Sequence, residues 1–299
     1  MAALLLVRYG ELALKSPPVR REFERALSHN VLEQFLASGE TCRLHSDHGH
    51  LYVEADDAAR AIRILRRVFG VTSVSSVVEV PTDLVAIRAA SIEMTDSLLT
   101  PGRSFAVRAR RTGQHPFTSQ QLGATVGSDL IERFSDRQLR VDLDHPEVEL
   151  FVEVRDARTY LYIDREAGPG GLPLGVAGRV AALVDGPRGA LGAYLLMKRG
   201  CRCAVLPTSS GSALVERVLR RFDPKARVAE IVDDPDLVDG SLTRLADETH
   251  ADGVVLPLLV EDYPNAKVRW GERVVFSPTV GLTDEEVEGR WLAVERLAA

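Results

Sequence analysis

Arg108-Ala-Arg-Arg-Thr-Gly-Gln-His-Pro-Phe-Thr-Ser119, preceded by Gly102-Arg-Ser-Phe-Ala-Val107, reads as a strand, a basic turn and a helix cap in that order. Phe105 and Val107 alternate with Ser104, Ala106 and Arg108, the period of a half-buried strand. Thr112-Gly113 breaks that period, and Thr118 or Ser119 offers a side-chain oxygen to the unpaired N–H groups of a helix predicted over 120–134. This stretch holds Arg103, Arg108, Arg110, Arg111 and His115 and no acidic residue, although 43 acids against 37 bases leave the whole chain at −6. A local reversal of sign calls for an anionic partner, and guanidinium forks match phosphate oxygens in pairs.

Outward from that stretch, a length of 299 residues with 45% apolar content suffices for two or three cores. No apolar run approaches the ~20 residues that span a bilayer, so no membrane partner is expected. The start, Met1-Ala-Ala-Leu-Leu-Leu-Val-Arg8, reads as a buried strand rather than a signal peptide. Three cysteines without metal-like spacing point to a reducing, cytoplasmic setting. The net charge confines any nucleic-acid contact to a patch.

Before the basic stretch, a strand at 4–7, a helix opened by Pro17-Pro18, a hairpin around Asp47-His48-Gly49, a helix at 58–68 and a strand at 71–80 give the ferredoxin-like order. A helix at 84–98 leads into it, and short strands at 139–141, 148–154 and 159–164 follow, with Arg111 placed on the turn. Gly168-Pro-Gly-Gly-Leu-Pro173 is too rich in glycine and proline for regular structure and reads as a linker. Beyond it, strands at 180–184, 203–206, 228–232, 253–256 and 274–277 alternate with helices, the pattern of a doubly wound parallel sheet. The chain thus divides into a ferredoxin-like domain (1–80), a second domain (81–167), a linker (168–177) and an α/β domain (178–299), an α/β and α+β multidomain protein. Ligands of such sheets sit beyond the C-terminal strand ends, which directs attention to the turn after Val184.

Arg108–Ser119, together with Val141-Asp-Leu-Asp-His-Pro-Glu-Val-Glu149 and Gly168-Pro-Gly-Gly-Leu-Pro-Leu-Gly175, resembles the THUMP domain of tRNA 4-thiouridine synthases, the tRNA sulfurtransferase family. Arg8-Tyr-Gly-Glu-Leu-Ala-Leu-Lys15 is similar to that family's opening strand, Tyr194-Leu-Leu-Met-Lys-Arg-Gly200 to the first helix of its ATP domain, and Pro278-Thr-Val-Gly-Leu-Thr-Asp-Glu-Glu286 to its late helix. The resemblance implies a THUMP domain (81–167) that grips the acceptor end of tRNA and an adenylating domain of the PP-loop type, adenine nucleotide α-hydrolase-like, at 178–299. In the PP-loop family the critical turn reads Ser-Gly-Gly-x-Asp-Ser. The matching residues here are Val184-Asp-Gly-Pro-Arg-Gly189, of which Gly186 alone fits. Valine lacks a hydroxyl, Asp185 sets a carboxylate where a polyanion belongs, and Pro187 removes an N–H donor. Gly186, Arg188 and Gly189 are what remains for a phosphate. ATP, which the family uses, is therefore not expected as a cofactor, and neither a catalytic residue nor a metal site is assigned. Val254-Val-Leu-Pro-Leu-Leu259 replaces the family's Thr-Gly-Glu, and the sequence ends soon after Trp291, so a truncated domain without a rhodanese-like extension is expected.

The RNA-binding face implied by charge and resemblance comprises Arg103, Arg108, Arg110, Arg111 and His115, with Lys15, Arg20 and Arg21 as a second group. Phe117 serves either as a base-stacking ring or as a hydrophobic staple under the helix start. Cys201 and Cys203 are read either as a sulfur carrier or half a metal site, or as small buried residues. The acidic stretch from Glu230 to Asp262 reads as a solvated face. Three functions follow as expectations. The leading one is a tRNA-binding accessory factor in tRNA modification, acting as a homodimer or beside an intact modification enzyme. The alternatives are an active ATP-dependent tRNA uridine sulfurtransferase and a small-molecule enzyme with its ligand near Arg188.

Overall fold

The structure, a computed structural model, describes residues 2–10, 16–47, 50–262, 270 and 273–299. Lys15 and the hairpin tip at His48-Gly49 lie outside the described residues. The chain opens with β1 (Ala3–Tyr9), α1 (Pro17–Ala37), β2 (Arg43–Asp47), β3 (His50–Ala55), α2 (Ala58–Leu65) and β4 (Val71–Pro81). These strands lie in the order β2-β3-β1-β4, the ferredoxin-like arrangement that the sequence pattern implied. Next come α3 (Leu84–Thr95), β5 (Ser104–Thr112), α4 (Ser119–Arg133), β6 (Arg140–Val141), β7 (Val148–Arg155), β8 (Arg158–Tyr162) and β9 (Glu166–Ala167). They extend the sheet as β4-β8-β7-β5-β6, with β9 pairing β4. β5 runs parallel to β6 and β7, whereas β7–β8 and β8–β4 are antiparallel.

The chain clusters into two compact units. The first comprises Met1–Leu6, Tyr52–Ala58 and Ser75–Glu166, and the second Val7–Leu51, Ala59–Val74 and Ala167–Ala299. In the first, α3 and α4 cover the sheet over Phe105, Leu122, Val126, Leu130, Leu150 and Val152. Thr118 caps α4 through a reciprocal capping box with Gln121, and Asp83 caps α3 by accepting from the N–H groups of Val85 and Ala86. Arg88 then ties α3 to α4 by a two-point contact with Asp129, 2.5 and 2.6 Å. Arg111 is corrected from the turn to the strand: it belongs to β5 and pairs with Val154. The strand outlasts the apolar alternation because a full-length neighbour, β7, supplies the ladder.

In the second unit β10 (Arg179–Val184), α5 (Pro187–Lys198), β11 (Arg202–Pro207), a helical stretch 209–222 (α6), α7 (Pro235–Glu248), β12 (Gly253–Val255), β13 (Val274–Phe276) and α8 (Asp284–Ala298) form a doubly wound domain. Its four strands are all parallel, in the order β11-β10-β12-β13. Val180, Ala182 and Val184 of β10 face Leu191, Tyr194, Phe222 and Trp291 from α5, α6 and α8. The alternate residue Ala181 faces Leu242 and Leu245 of α7, so helices cover both faces. The strand expected at 228–232 reduces to one bridge, Val205 to Val228. Ala229 and Val232 still pack against the core and donate to Val205 O and Pro207 O, while Ile231 between them is half exposed.

The glycine-rich segment expected to be a linker is pinned instead. Gly168 and Gly170 donate to the carbonyls of Thr72 and Val71, Leu172 donates to Lys198 O, and Gly175 to Gly200 O. A Cβ at Gly171 would stand 2.1 Å from Lys198 O, so glycine is required by that approach. Among the described residues no helix is long and apolar enough to cross a membrane.

Candidate nucleic-acid interface

In the first unit, β5 and α4 border an open groove of about 920 Å³. Its α4 wall is built from small residues, Gly123, Ala124, Gly127 and Ser128, which keep side-chain volume out of it. Helix-interior glycine costs about 1 kcal/mol relative to alanine, so Gly123 and Gly127, one turn apart, are a costly choice unless the space is used. The opposite side presents Arg108, Arg110 and Arg165. Ile131, Val141 and Leu143, 43%, 54% and 60% exposed, contribute apolar surface to the same groove. Cationic edges over an apolar floor suit a phosphodiester chain whose bases turn inward.

The predicted cations differ in how much of their hydrogen-bonding capacity remains. Arg108 Nε donates to Glu149 Oε1 at 2.5 Å and Nη2 to Leu143 O at 2.6 Å. Arg110, two residues on and lining the same groove, is exposed and has no ion-pair partner among the described residues. Arg103 is likewise exposed, at the residue before β5. Arg111 Nη1 donates to Gly113 O at 3.0 Å, and His115 Nε2 lies 2.9 Å from Thr112 O, so both brace the turn after β5. Phe117 stacks on His115 with ring centroids 5.7 Å apart and also packs against the core beside Leu122, the staple position. Arg20 and Arg21 belong to the second unit, on α1. Arg20 Nε donates to Glu24 at 2.9 Å, Tyr9 Oη donates to the same carboxylate at 2.6 Å, and Arg21 is exposed.

Two contributors escaped sequence reasoning. Phe151 and Tyr162 are register partners on β7 and β8, and their rings stack 4.8 Å apart at 6°. The exposed Arg165 lays its guanidinium over both, 4.9 and 5.8 Å from the ring centroids. Only the strand register brings these residues together. The small helix residues went unread as well, although Gly123-Ala124 and Gly127-Ser128 at i, i+4 spacing carry a signal that could have found them.

The loop after β10 was the other sequence candidate. Gly186 stands at the N-cap of α5, where a Cβ would meet nothing within 4 Å, and Pro187 occupies the first turn. Arg188 is turned onto the chain itself: Nη1 donates to Thr279 O at 2.8 Å, and Nη2 to Leu282 O at 2.9 Å and Asp284 Oδ1 at 2.8 Å. A Cβ at Gly189 would fall 2.5 Å from Leu183 O, so this glycine serves close packing. Partial burial of its carboxyl, in a residue that is otherwise exposed, raises Asp185 above its ordinary range, the nearby Arg188 charge opposing that shift. Cys201 and Cys203 are buried, with their thiols donating to Ala177 O and Ala193 O. Burial raises both thiols, which disfavours the thiolate that sulfur chemistry needs.

Comparison with known proteins agrees with this architecture. Residues 4–75 match the ThiI ferredoxin-like domain and residues 81–164 the THUMP domain. The fold and these matches define a multidomain α/β protein built on a ferredoxin-like and THUMP pair. A probable tRNA sulfurtransferase of Methanothermobacter thermautotrophicus is 38% identical over 205 residues, 67% of this chain and 51% of the relative. One from Moorella thermoacetica is 37% identical over 231 residues, 76% of this chain and 58% of the relative. The chain belongs to the tRNA sulfurtransferase family and spans about half the length of the first of these relatives. The crystal structure of PH1313 from Pyrococcus horikoshii OT3 is similar over 99% of this chain and 100% of its own, with a TM-score of 0.79 and 26% identity. A 4-thiouridine synthetase in complex with RNA and ATP shares the fold, with a TM-score of 0.79 and 21% identity over 100% of this chain and 86% of its own.

Proposed function

We propose that this chain binds tRNA in the groove between β5 and α4 and acts as a tRNA-binding accessory factor in tRNA modification, without adenylating through the loop after β10. The groove is the observation that supports the first half. Arg110 and Arg165 border it with donors to spare, Phe151 and Tyr162 support Arg165 from below, and Gly127 of α4 leaves open space beside them. Solved structures of the same fold include a 4-thiouridine synthetase in complex with RNA.

The loop supports the second half. A nucleotide triphosphate needs N–H donors and positive charge at the start of α5. Here proline removes one donor, Asp185 adds a carboxylate, and the Arg188 guanidinium is held by two carbonyls and Asp284. The residues present do not fit ATP.

The test is a titration of tRNA at salt concentrations from about 50 to 200 mM, where affinity should fall steeply. Joint replacement Arg110→Ala with Arg165→Ala should weaken binding at least about tenfold, since each good charge-assisted contact contributes about 1 kcal/mol or more. No binding at low salt, or binding indifferent to the pair, would sink the RNA half. Pyrophosphate release from ATP that depends on tRNA would sink the other and favour an active sulfurtransferase.

A further inference from the structure

β5 is paired along its length on one side only. Its ladder with β7 runs from Phe105 to Thr112, whereas β6, on the other side, meets Ser104 and Phe105 alone. The N–H groups of Arg140 and Asp142 donate to Arg103 O and Phe105 O, so these odd-numbered residues turn their backbone groups away from β7. With a strand period of two, the N–H and C=O of Val107 and Ala109 point the same way, past the end of β6. Both residues line the open groove, and a Cβ at Gly123 of α4 would stand 3.6 Å from Val107 O. Among the described residues no further strand closes this edge.

An unpaired strand edge is a template for another chain. Phosphate oxygens can serve its N–H groups but offer nothing to its carbonyls. An extended peptide serves both, at the repeat of about 6.6–6.8 Å that two strand residues set. The two faces of the edge then decide which side chains such a peptide carries. On the α4 face its neighbours are Val107, Ala109, Gly123, Gly127 and Ile131, all small or apolar. On the other face stand Arg108, Arg110 and Arg165, and Glu149, the acid among the groove residues, is already held by Arg108. Charged side chains keep unwanted strands off an edge, and arginines here repel cationic segments while pairing with acidic ones.

We propose that the β5 edge takes up, by strand addition, an extended segment of a partner protein in which acidic and apolar residues alternate. Its backbone bonds to Val107 and Ala109, its carboxylates meet Arg110 and Arg165, and its apolar side chains lie against the small residues of α4. Such a segment and an RNA strand compete for one groove, so a partner of this kind displaces tRNA. That consequence alone rests on the groove being the RNA site.

The experiment uses the full chain without RNA and a fluorescein-labelled synthetic peptide of about eight residues, glutamate and valine in alternation, long enough to span the open edge at ~3.3 Å per residue. Binding is followed by fluorescence polarisation. Two further peptides are N-methylated on the amides of either the glutamates or the valines, which removes the donors from one side of the strand at a time. Saturable binding is expected, with one methylated form at least about tenfold weaker and the other within about threefold of the parent, since each backbone hydrogen bond contributes about 1 kcal/mol. Arg110→Glu, at an exposed side chain, should weaken the acidic peptide at least about tenfold and admit its lysine–valine counterpart. Added tRNA should displace the peptide; peptide binding without displacement counts against the RNA reading and leaves strand addition standing. No saturable binding, equal affinity of the two methylated forms, or equal affinity of the acidic and lysine–valine peptides for the unaltered chain overturns the proposal.

Discussion

Gly127 is the residue at which the groove can be closed without touching its charges. A Cβ placed there meets nothing within 4 Å, and its φ is not in the left-handed region, so Gly127→Leu enters open space. Helix propensity alone should raise stability by about 0.5–1 kcal/mol. The expected outcome is an unchanged or higher Tm together with at least about tenfold weaker tRNA binding, measured by filter retention. Intact affinity in a folded Gly127→Leu protein would place the RNA elsewhere. Arg108 and Arg110 separate in a similar way. Both line the groove two residues apart on β5, but charge patterning could not show that Arg108 is half spent on Glu149 and Leu143 O. Arg110→Ala should leave Tm unchanged and lower the salt slope of binding by about 0.7–0.9, the share of one phosphate contact. Arg108→Ala should cost stability as well, because Glu149 then loses its counter-charge. Phe151 and Arg165 were illegible for a different reason: they meet through strand register, which a linear pattern does not encode.

At the scale of elements, α1 buries polar residues along a stripe of helical spacing. Asn30 and Gln34 fall among Leu27, Val31 and Phe35 at helical spacing and are buried with them. They are polar because of what they meet. Asn30 Nδ2 donates to Leu174 O at 3.2 Å, and Gln34 Nε2 donates to Arg221 O and Phe222 O at 3.0 and 2.8 Å, satisfying carbonyls at the end of α6 that the helix leaves unpaired. Glu33, beside them, receives Arg202 Nη2 at 2.8 Å and Lys225 Nζ at 2.9 Å. Burial works to raise its carboxyl, and the hydrogen bonds from Arg202 and Lys225 together outweigh burial and hold it below the ordinary range. A depressed carboxylate contributes stability above its unfolded value, ~4.3, and loses that contribution as pH falls through the folded value. Glu33→Gln should therefore cost about 2 kcal/mol at neutral pH and flatten the dependence of Tm on pH below about 4.5. An acid limb of unchanged steepness would remove Glu33 from the account. The fold classes of both sheets were legible from the succession of strands and helices, whereas their spatial strand orders and the pinned glycine segment were not. Glycine and proline announce irregular backbone without saying whether it is slack or, as at Gly168 and Gly171, pressed against a neighbouring carbonyl.

Across the whole molecule, charge is partitioned in a way that makes binding local. The chain is acidic overall, and acids gather between Glu230 and Asp262, where α7 is largely solvent-facing, while the edge of the groove in the first unit is cationic. A protein wrapped by nucleic acid neutralises many phosphates and shows a correspondingly steep salt dependence. Here Arg103, Arg110, Arg111 and Arg165 are the exposed cations near the groove, and Arg111 is partly used by the turn it braces. About three to four phosphate contacts at ~0.7–0.9 each predict a slope near −3 for the logarithm of affinity against the logarithm of salt concentration. ATP at millimolar concentration should change neither that slope nor the affinity, since the loop after β10 offers a carboxylate and a committed arginine to a polyanion. A slope near −8 would mean that the RNA also crosses surfaces outside the groove. A tRNA affinity that rises with ATP would mean that the α/β domain still answers to nucleotide, and the division between a retained RNA surface and a lapsed adenylation loop would fail.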